Sequence, residues 1–417
     1  MILFRVQDGL QRREPRAGER SIPLVRLIRF ALLAACLLAP AAPAAAAPVL
    51  VLGKGGHVVR EQDPFTPRGT PVPAAAVKAG AARARAHAAG VSSIRTALGD
   101  LRRAGAISQA EYDARAKDLD DALFIRNQLT GTRRNELDGV LGLTAGIASR
   151  GQMDASRLNA LWLQINRNVE WWGFSDRLPS SGERVRFRNS RVLFQYFPGQ
   201  GLQLHPLANW GRASALIQNG YKPNTREFLA ELLPLAARRN GAMTWEYYFN
   251  FGGGGPPWTS GLSQGTVLVT LARAYRDLGD EAYVAALRSA VRLYSFNAPL
   301  GVRVPTRYGN SYAEYSFAPR YRIINGFIQA LNGLWDARPY TTLARTLFTR
   351  GDREARRALP AYDTGRWSYY SNQHDLSPLN YHVLLRDFLR DLCQRTGTRI
   401  YCAKAARFTA YLRQGQP

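Results

Sequence analysis

Residues 262–296 read LSQGTVLVTLARAYRDLGDEAYVAALRSAVRLYSF. Leu268, Leu271, Tyr275 and Leu278 recur at three- and four-residue spacing, and the pattern stops at Gly279-Asp280. A second apolar-periodic run starts at once with Glu281. The spacing predicts two helices, Leu262–Leu278 and Glu281–Phe296, folded back on each other through a tight turn. Ile324, Phe327, Ile328, Leu331, Leu334 and Trp335 fall on one helical face further along, and the next pair is expected to turn at Gly351-Asp352. Tyr381–Gln394 and Ala403–Arg413 make one more pair. Each such hairpin has one apolar face that only a neighbouring hairpin can cover. The expected fold is therefore all-α, a toroid-like α/α barrel whose loops form a cleft at one end. Strand signals are confined to short runs such as Arg184–Phe197.

Working back toward the start, the chain divides four ways. Arg26 and Arg29 precede the apolar run Phe30–Ala39, followed by alanines up to Ala47. A positive flank, a short apolar run and small residues are the pattern of a secretory signal peptide, read here as residues 1–46. Leu33-Ala34-Ala35-Cys36 also fits a lipoprotein box, so a membrane link is expected only through a retained N-terminal anchor or a lipid on Cys36. Residues 47–75 read as a Pro/Gly-rich linker, residues 76–152 as an accessory Ala- and Arg-rich helical extension, and residues 153–417 as the barrel. Ala81–Ala89 and Ser92–Arg103 favour helix by propensity, and Ser108-Gln109-Ala110-Glu111 is a capping box.

The chain has 417 residues, with Lys+Arg 56 against Asp+Glu 31, a net charge of +25. Without residues 1–46 it is still +21. Such an excess attracts polyanions, but no basic block interleaved with aromatics or other nucleic-acid motif is visible, so nucleic acid is not the expected partner. Of the 3 Cys, Cys36 lies in the export segment and Cys393 and Cys402 remain as an even pair. In an oxidising compartment they are expected to form a disulfide between two helices. The 8 Trp and 19 Tyr suit a sugar-binding cleft, where rings stack on pyranose faces.

Five segments break the helical pattern and concentrate polar aromatics and carboxylates: Trp245-Glu246-Tyr247-Tyr248, Trp258–Gly265, Tyr312-Ala313-Glu314-Tyr315, Tyr362–Tyr370 and Asn380-Tyr381-His382. Loops so rich in tyrosine hydroxyls point to a site more than an aromatic core stripe does. Gln264-Gly265, Glu314-Tyr315, Asn325-Gly326-Phe327-Ile328, Leu334-Trp335-Asp336, Leu359–Gly365 and Tyr381-His382 stand in an order that resembles the C-terminal domain of D-glucuronyl C5-epimerases. The resemblance runs best over 240–390 and does not cover the N-terminal third.

That resemblance implies removal of the hydrogen on C5 of a hexuronic acid and its return from the opposite face. The site then needs a partner for the sugar carboxylate, donors for the enediolate-like intermediate and an acid/base on each ring face. Carried over by motif, Glu314 and Tyr381 are the facing acid/base groups, and Tyr370 and Tyr315 line the same site. Burial is expected to raise the pKa of Glu314, and nearby arginine to lower those of the tyrosines. Substrate-binding candidates are Trp258, Gln264, Glu246, Tyr312, Arg320, Arg322, Arg366 and His382, with arginine favoured as a bidentate carboxylate partner. His205, beside Pro206, and His382 each have a structural reading as satisfied histidines, and Asp363 reads as the cap of the turn that carries Tyr370.

Two departures matter. The family's Trp-Tyr-Glu-Glu-Tyr stands here as Ser311-Tyr312-Ala313-Glu314-Tyr315, and its Arg-Trp-Asp-Tyr-His as Pro378-Leu379-Asn380-Tyr381-His382. The arginine beside the tyrosine is absent, which leaves the carboxylate partner unassigned. The expected activity is epimerisation of an acidic polysaccharide outside the cytoplasm, in a secreted or cell-envelope protein. A lyase or hydrolase using the same cleft, with Glu246 and Glu314 as a carboxylate pair, and a non-catalytic glycan-binding protein are the alternatives. No metal cluster or nucleotide fingerprint is visible in the sequence, no cofactor is expected, and a homodimer is an open option.

Overall fold

The computed structural model describes residues 47–67, 81–82 and 90–415. The segment read as a signal peptide (residues 1–46, with Cys36) and most of the helix expected at Ala81–Ala89 lie outside them. The hairpin read from residues 262–296 is present as α7 (Gly261–Leu278) and α8 (Glu281–Val291). Its ends follow from local chemistry. The Ser260 hydroxyl accepts from Ser263 N and caps α7, Gly279 closes it at φ 76°, and Asp280 caps α8 by accepting from Ala282 N.

Three more hairpins have the same plan: α5 (Pro206–Gln218) with α6 (Lys222–Leu232), α9 (Ile324–Ala337) with α10 (Thr342–Ala358), and α11 (Leu379–Thr396) with α12 (Arg399–Gln414). The first helices pack side by side in the order α5, α7, α9, α11, and each second helix packs against its partner. The two ends of the row, α5 and α11, line a common groove of about 340 Å³ together with α7. Cys393 on α11 and Cys402 on α12 are joined by a disulfide across their connecting turn.

Glycines let the row close up. A Cβ on Gly265 would come within 2.6 Å of the Gln329 carbonyl, and one on Gly333 within 2.4 Å of the Gly265 carbonyl. The turn expected at Gly351-Asp352 does not exist, because α10 runs straight through it. Gly351 is there for close approach instead: a Cβ would meet Leu331 at 2.7 Å and the Tyr312 ring at 2.8 Å. A glycine that ends a helix and one that admits a neighbour look alike in sequence.

The N-terminal part departs further from expectation. Residues 47–63, read as linker, form β1 (Ala47–Leu52) and β2 (Val58–Asp63). They belong to a five-stranded sheet of order β2-β1-β3-β4-β5, with β3 (Arg184–Phe187), β4 (Phe194–Phe197) and β5 (Gly201–Leu204). β1 runs parallel to β3, with Val49 opposite Arg184, and the remaining pairs are antiparallel. The run Val49-Leu50-Val51-Leu52 is apolar without alternation because both of its faces are buried. Together with two small hairpins, β6–β7 (Ala237–Arg239, Ala242–Thr244) and β8–β9 (Arg303–Pro305, Asn310–Tyr312), this corrects the all-α expectation: the protein is mostly helical with a few small sheets.

One sheet face packs Val185, Phe187, Phe194, Leu202 and Leu204 into the same core as Trp171 and Trp172. Those tryptophans lie on α4 (Leu158–Phe174), which packs on α3 (Gly131–Ser149). Helices α1 (Ser92–Arg103) and α2 (Gln109–Gln128) cover α3 and α4, and α2 opens with the capping box at Ser108 and Glu111. Glu136 on α3 ties the layers by accepting from the Tyr196 hydroxyl at 2.8 Å and the N–H groups of Gly199 and Gly201. Among the described residues, the helices at 92–149 fall in the same compact unit as the rest.

A side chain at the α7–α9 crossing has nowhere to go. Gly265→Val is expected to cost at least about 1–3 kcal/mol, visible as a lower urea midpoint than that of wild type. An unchanged midpoint would show that the two helices do not meet there.

Candidate functional site

The site is built at the N-terminal ends of α5, α7, α9 and α11. Between β9, which ends at Tyr312, and α9 runs the segment Ala313-Glu314-Tyr315. The segment is pinned from several sides. Ala313 N donates to the Val302 carbonyl at 2.8 Å, Gly261 N at the start of α7 donates to the Ala313 carbonyl at 2.9 Å, and Ser316 N donates to the Thr259 carbonyl at 3.0 Å. The Tyr312 hydroxyl reaches away from the site to the Leu347 carbonyl at 2.7 Å.

These anchors place the Glu314 side chain among buried groups, with the residue only 4% exposed. Its Oε2 has no hydrogen-bond partner. Gly326, in the first turn of α9, makes room for it: a Cβ there would sit 3.0 Å from both Cβ and Oε2 of Glu314. Burial pushes the carboxyl up to about 7, against the opposing pull of the Tyr315 hydroxyl and the Gly326 N–H.

Three tyrosines surround it. Tyr370 is held by Ile324 N, which donates to its carbonyl at 3.3 Å, and its ring meets that of Tyr381 edge-on at 5.0 Å. Asn325 Nδ2 donates to the Tyr381 carbonyl at 2.9 Å, fixing the start of α11 against the start of α9. The Tyr370 hydroxyl donates to that of Tyr315. Burial, and then the charge of Glu314, raise the pKa values of Tyr315, Tyr370 and Tyr381. The expectation that arginine would lower them is corrected: all three are raised, and no arginine of the described residues is among the main causes. The structure thus brings Glu314, Tyr315, Tyr370 and Tyr381 together.

An aromatic wall backs the cluster. Tyr247 stacks on Trp258 at 4.1 Å and 6°, and Trp258 meets Tyr315 edge-on at 5.8 Å. The Tyr247 hydroxyl accepts from Leu207 N, in the first turn of α5, at 3.2 Å. Burial raises its pKa, and the charges of Glu314 and of Arg184 on β3 act on it in opposite senses. Tyr247 and Arg184 were not singled out from sequence. Tyr247 lies inside a segment that was, whereas nothing in the pattern of β3 marks an arginine that turns inward.

Several candidates have structural duties instead. Glu246 is fully buried between two arginines, accepting from Arg157 Nε at 2.7 Å and Nη2 at 3.0 Å, and from Arg239 Nε. Burial alone would raise its pKa, but the Arg239 and Arg157 charges prevail and hold it below the ordinary carboxylate value. The Glu246 carboxylate is therefore committed to two arginines. Gln264 spends its amide on the carbonyls of Met243 and Ala290, and Tyr312 is committed to Leu347 as described. His382 is buried, stacked on Trp367 at 3.7 Å, and bonded to Ser368 Oγ at 2.7 Å and the Phe408 carbonyl at 3.1 Å. It fastens the 367–377 loop to α11 and α12. His205 caps α5 by accepting from Ala208 N.

Asp363 accepts from Gly365 N at 2.9 Å, the turn-capping role expected of it. Arg320 and Arg366 are exposed. Arg322 lies 4.0 Å from Glu354 and lines a second pocket of about 270 Å³ with Tyr308 and Arg357. Among the described residues no group of three or more His, Cys, Asp or Glu side chains could hold a metal ion, and no helix is long and apolar enough to cross a membrane.

The two buried glutamates predict opposite behaviour. Glu246→Gln leaves two buried guanidinium groups without their carboxylate and is expected to cost about 3–5 kcal/mol. Glu314 binds a proton more readily in the folded protein (about 7) than at its ordinary value of 4.5. Stability therefore falls as pH climbs from about 4.5 through about 7, then levels off. Glu314→Gln removes that loss: it is expected to exceed wild type by on the order of 3 kcal/mol above neutrality and to match it at acid pH. Urea titrations of the three proteins at acid and mildly alkaline pH check both, and a Glu314→Gln protein less stable than wild type at alkaline pH would contradict the raised pKa.

Comparison with known proteins follows the same residues. The family described as "D-glucuronyl C5-epimerase C-terminus" matches residues 239–410. A D-glucuronyl C5-epimerase of Caenorhabditis elegans is 28% identical over 151 residues, covering 31% of this chain and 24% of that protein. An uncharacterized protein of Methanocaldococcus jannaschii is 30% identical over 169 residues, covering 38% of this chain and 54% of that protein. The chain thus spans about a quarter to a half of the length of these relatives. The matched segment carries Glu314, Tyr315, Tyr370 and Tyr381, and the five-stranded sheet precedes it. Residues 239–410 of this chain are therefore similar to the C-terminal domain of D-glucuronyl C5-epimerases.

Proposed function

We propose that the protein is an isomerase that inverts C5 of hexuronic acid residues, of the D-glucuronate to L-iduronate type, in an acidic polysaccharide outside the cytoplasm. The observation that carries this reading is Glu314, a buried carboxyl pushed up to about 7 inside a ring of tyrosine hydroxyls. Near neutral pH such a group is present both as base and as acid, which a reversible proton transfer at carbon requires. In the forward step the base takes the C5 proton, and the C–H electron pair passes into the adjoining carboxylate as an enediolate. A proton delivered to the other face of C5 then re-forms the bond with inverted configuration.

Tyr381 is the opposed acid/base, and Tyr315 and Tyr370 are the donors. Their raised pKa values keep them protonated at neutral pH, as donors to a developing oxyanion must be. The four helix N-termini add to this, each contributing roughly half a positive charge where the intermediate carries its extra negative charge. The two-layer row of hairpins is read as an α/α barrel, with the site at the end where the inner helices begin. An extracytoplasmic setting is supported by the Cys393–Cys402 disulfide, which persists where glutathione does not reduce it. The +25 charge favours a polyanionic substrate.

The test is proton exchange with solvent. In D₂O with heparosan-like and other uronate polymers, the mature protein is expected to place deuterium at C5 of intact chains, seen by NMR. Glu314→Gln and Tyr381→Phe are each expected to slow this by at least about 10²-fold. Unsaturated, ultraviolet-absorbing chain ends would make the protein a lyase. Binding without exchange across the panel would leave a glycan-binding protein.

A further inference from the structure

The C-terminal segment lacks the arginine that the family places beside the tyrosine at 381, and no arginine of the described residues is among the main influences on the tyrosine cluster. A buried arginine of the N-terminal sheet does act on Tyr247, whose ring stacks on Trp258 behind the cluster. Arg184 of β3 is 5% exposed, its Nη1 has no hydrogen-bond partner, and its Nε makes only a long bond of 3.4 Å to the Pro67 carbonyl. No carboxylate is among the groups that act on it: burial pushes it down to about 10, opposed only by Tyr247.

The surroundings of Arg184 are those of an anion site. In the sheet register Arg184 lies opposite Gln195, and Gln195 opposite Gln203, so a row of buried polar side chains crosses β3, β4 and β5 on one face. His205 at the start of α5 is kept neutral by burial and by the charge of Arg184, and the α5 N-terminus adds its own positive end. Pro67 and Leu207, which contact Arg184 and Tyr247, also line the groove between α5, α7 and α11. Tyr247 is in turn influenced by both Arg184 and Glu314, which connects this corner to the proton-transfer cluster.

An unpaired buried guanidinium lowers stability unless something binds it. We propose that Arg184 is the counter-charge for the carboxylate of the substrate sugar, so that the N-terminal sheet completes a site whose acid/base groups all lie in 239–410. The assignment rests on the uronate reading above for the choice of anion. It explains how a site without the usual arginine can still recognise an acidic sugar, since guanidinium and carboxylate pair through two parallel hydrogen bonds.

The full chain would be titrated with a glucuronate polymer and with the same polymer after reduction of its carboxyls to alcohols, alongside thermal unfolding. Wild type is expected to prefer the uronate form by about tenfold or more. Arg184→Gln is expected to lose that preference, to bind the reduced polymer as wild type does, and to unfold at the same or a higher temperature. A merely structural arginine would instead lower the unfolding temperature and leave the preference intact. If Arg184→Gln does not fold, Arg184→Lys serves: it keeps the charge without the planar fork, and a partial loss of preference supports the proposal. Wild-type preference in whichever variant folds, or no preference in wild type itself, overturns it. An Arg184-dependent preference without C5 deuteration would sink the epimerase reading and leave this assignment standing; deuteration without that dependence would do the reverse.

Discussion

The site depends on one constraint: Glu314 is buried as a carboxyl with no cation beside it. Removing a carboxylate from water without a counter-ion is costly, and the protein meets the cost by letting the group hold its proton up to about 7. Everything around Glu314 serves that condition. Ala313 and Ser316 are tied to the start of α7, Gly326 leaves the space that the side chain fills, and Tyr315, Tyr370 and Tyr381 supply neutral hydroxyls in place of charges. An arginine within this ring would hold the carboxyl ionised and remove its capacity to give a proton back.

Glu246 shows the contrast. It is as deeply buried and also lies in an aromatic-rich loop, but Arg157 and Arg239 grip it and keep it ionised. A glutamate gripped by two guanidinium groups fastens β6–β7 to the main body, and one with none is free to exchange a proton. The chemistry of each comes from its neighbours, not from the residue type. Arg184 is the third member of this set, a buried cation whose partner among the described residues is missing.

The helices supply the frame. Because α5, α7, α9 and α11 lie side by side with their N-termini at the same end, their first turns can each hold one part of the site: Leu207 the Tyr247 hydroxyl, Gly261 the Ala313 carbonyl, Ile324 the Tyr370 carbonyl, and α11 Tyr381 itself. Gly265 and Gly333 set the α7–α9 spacing on which that alignment rests. The functional residues therefore sit on loops, but their positions are set by backbone groups of rigid helices.

Local sequence determined the helical hairpins, since apolar spacing, the caps at Ser260 and Asp280, and Gly279 all act within a few residues. That Glu314, Tyr315, Tyr370 and Tyr381 come together was legible because their motifs keep a recognisable order. The strands at 47–63 were not: a short apolar run beside glycines reads as linker until its partner β3, more than 130 residues away, supplies the hydrogen bonds. Gly351 read as a turn for a similar reason, because only the packed Tyr312 and Leu331 reveal that the glycine admits a neighbour. The roles of Glu246, Gln264, Tyr312 and His382 were also decided by tertiary structure, through hydrogen bonds to residues distant in the chain. Sequence carries periodicity and residue type; burial and counter-charge exist only once distant segments meet, and they decided which glutamate is held ionised and which can move a proton.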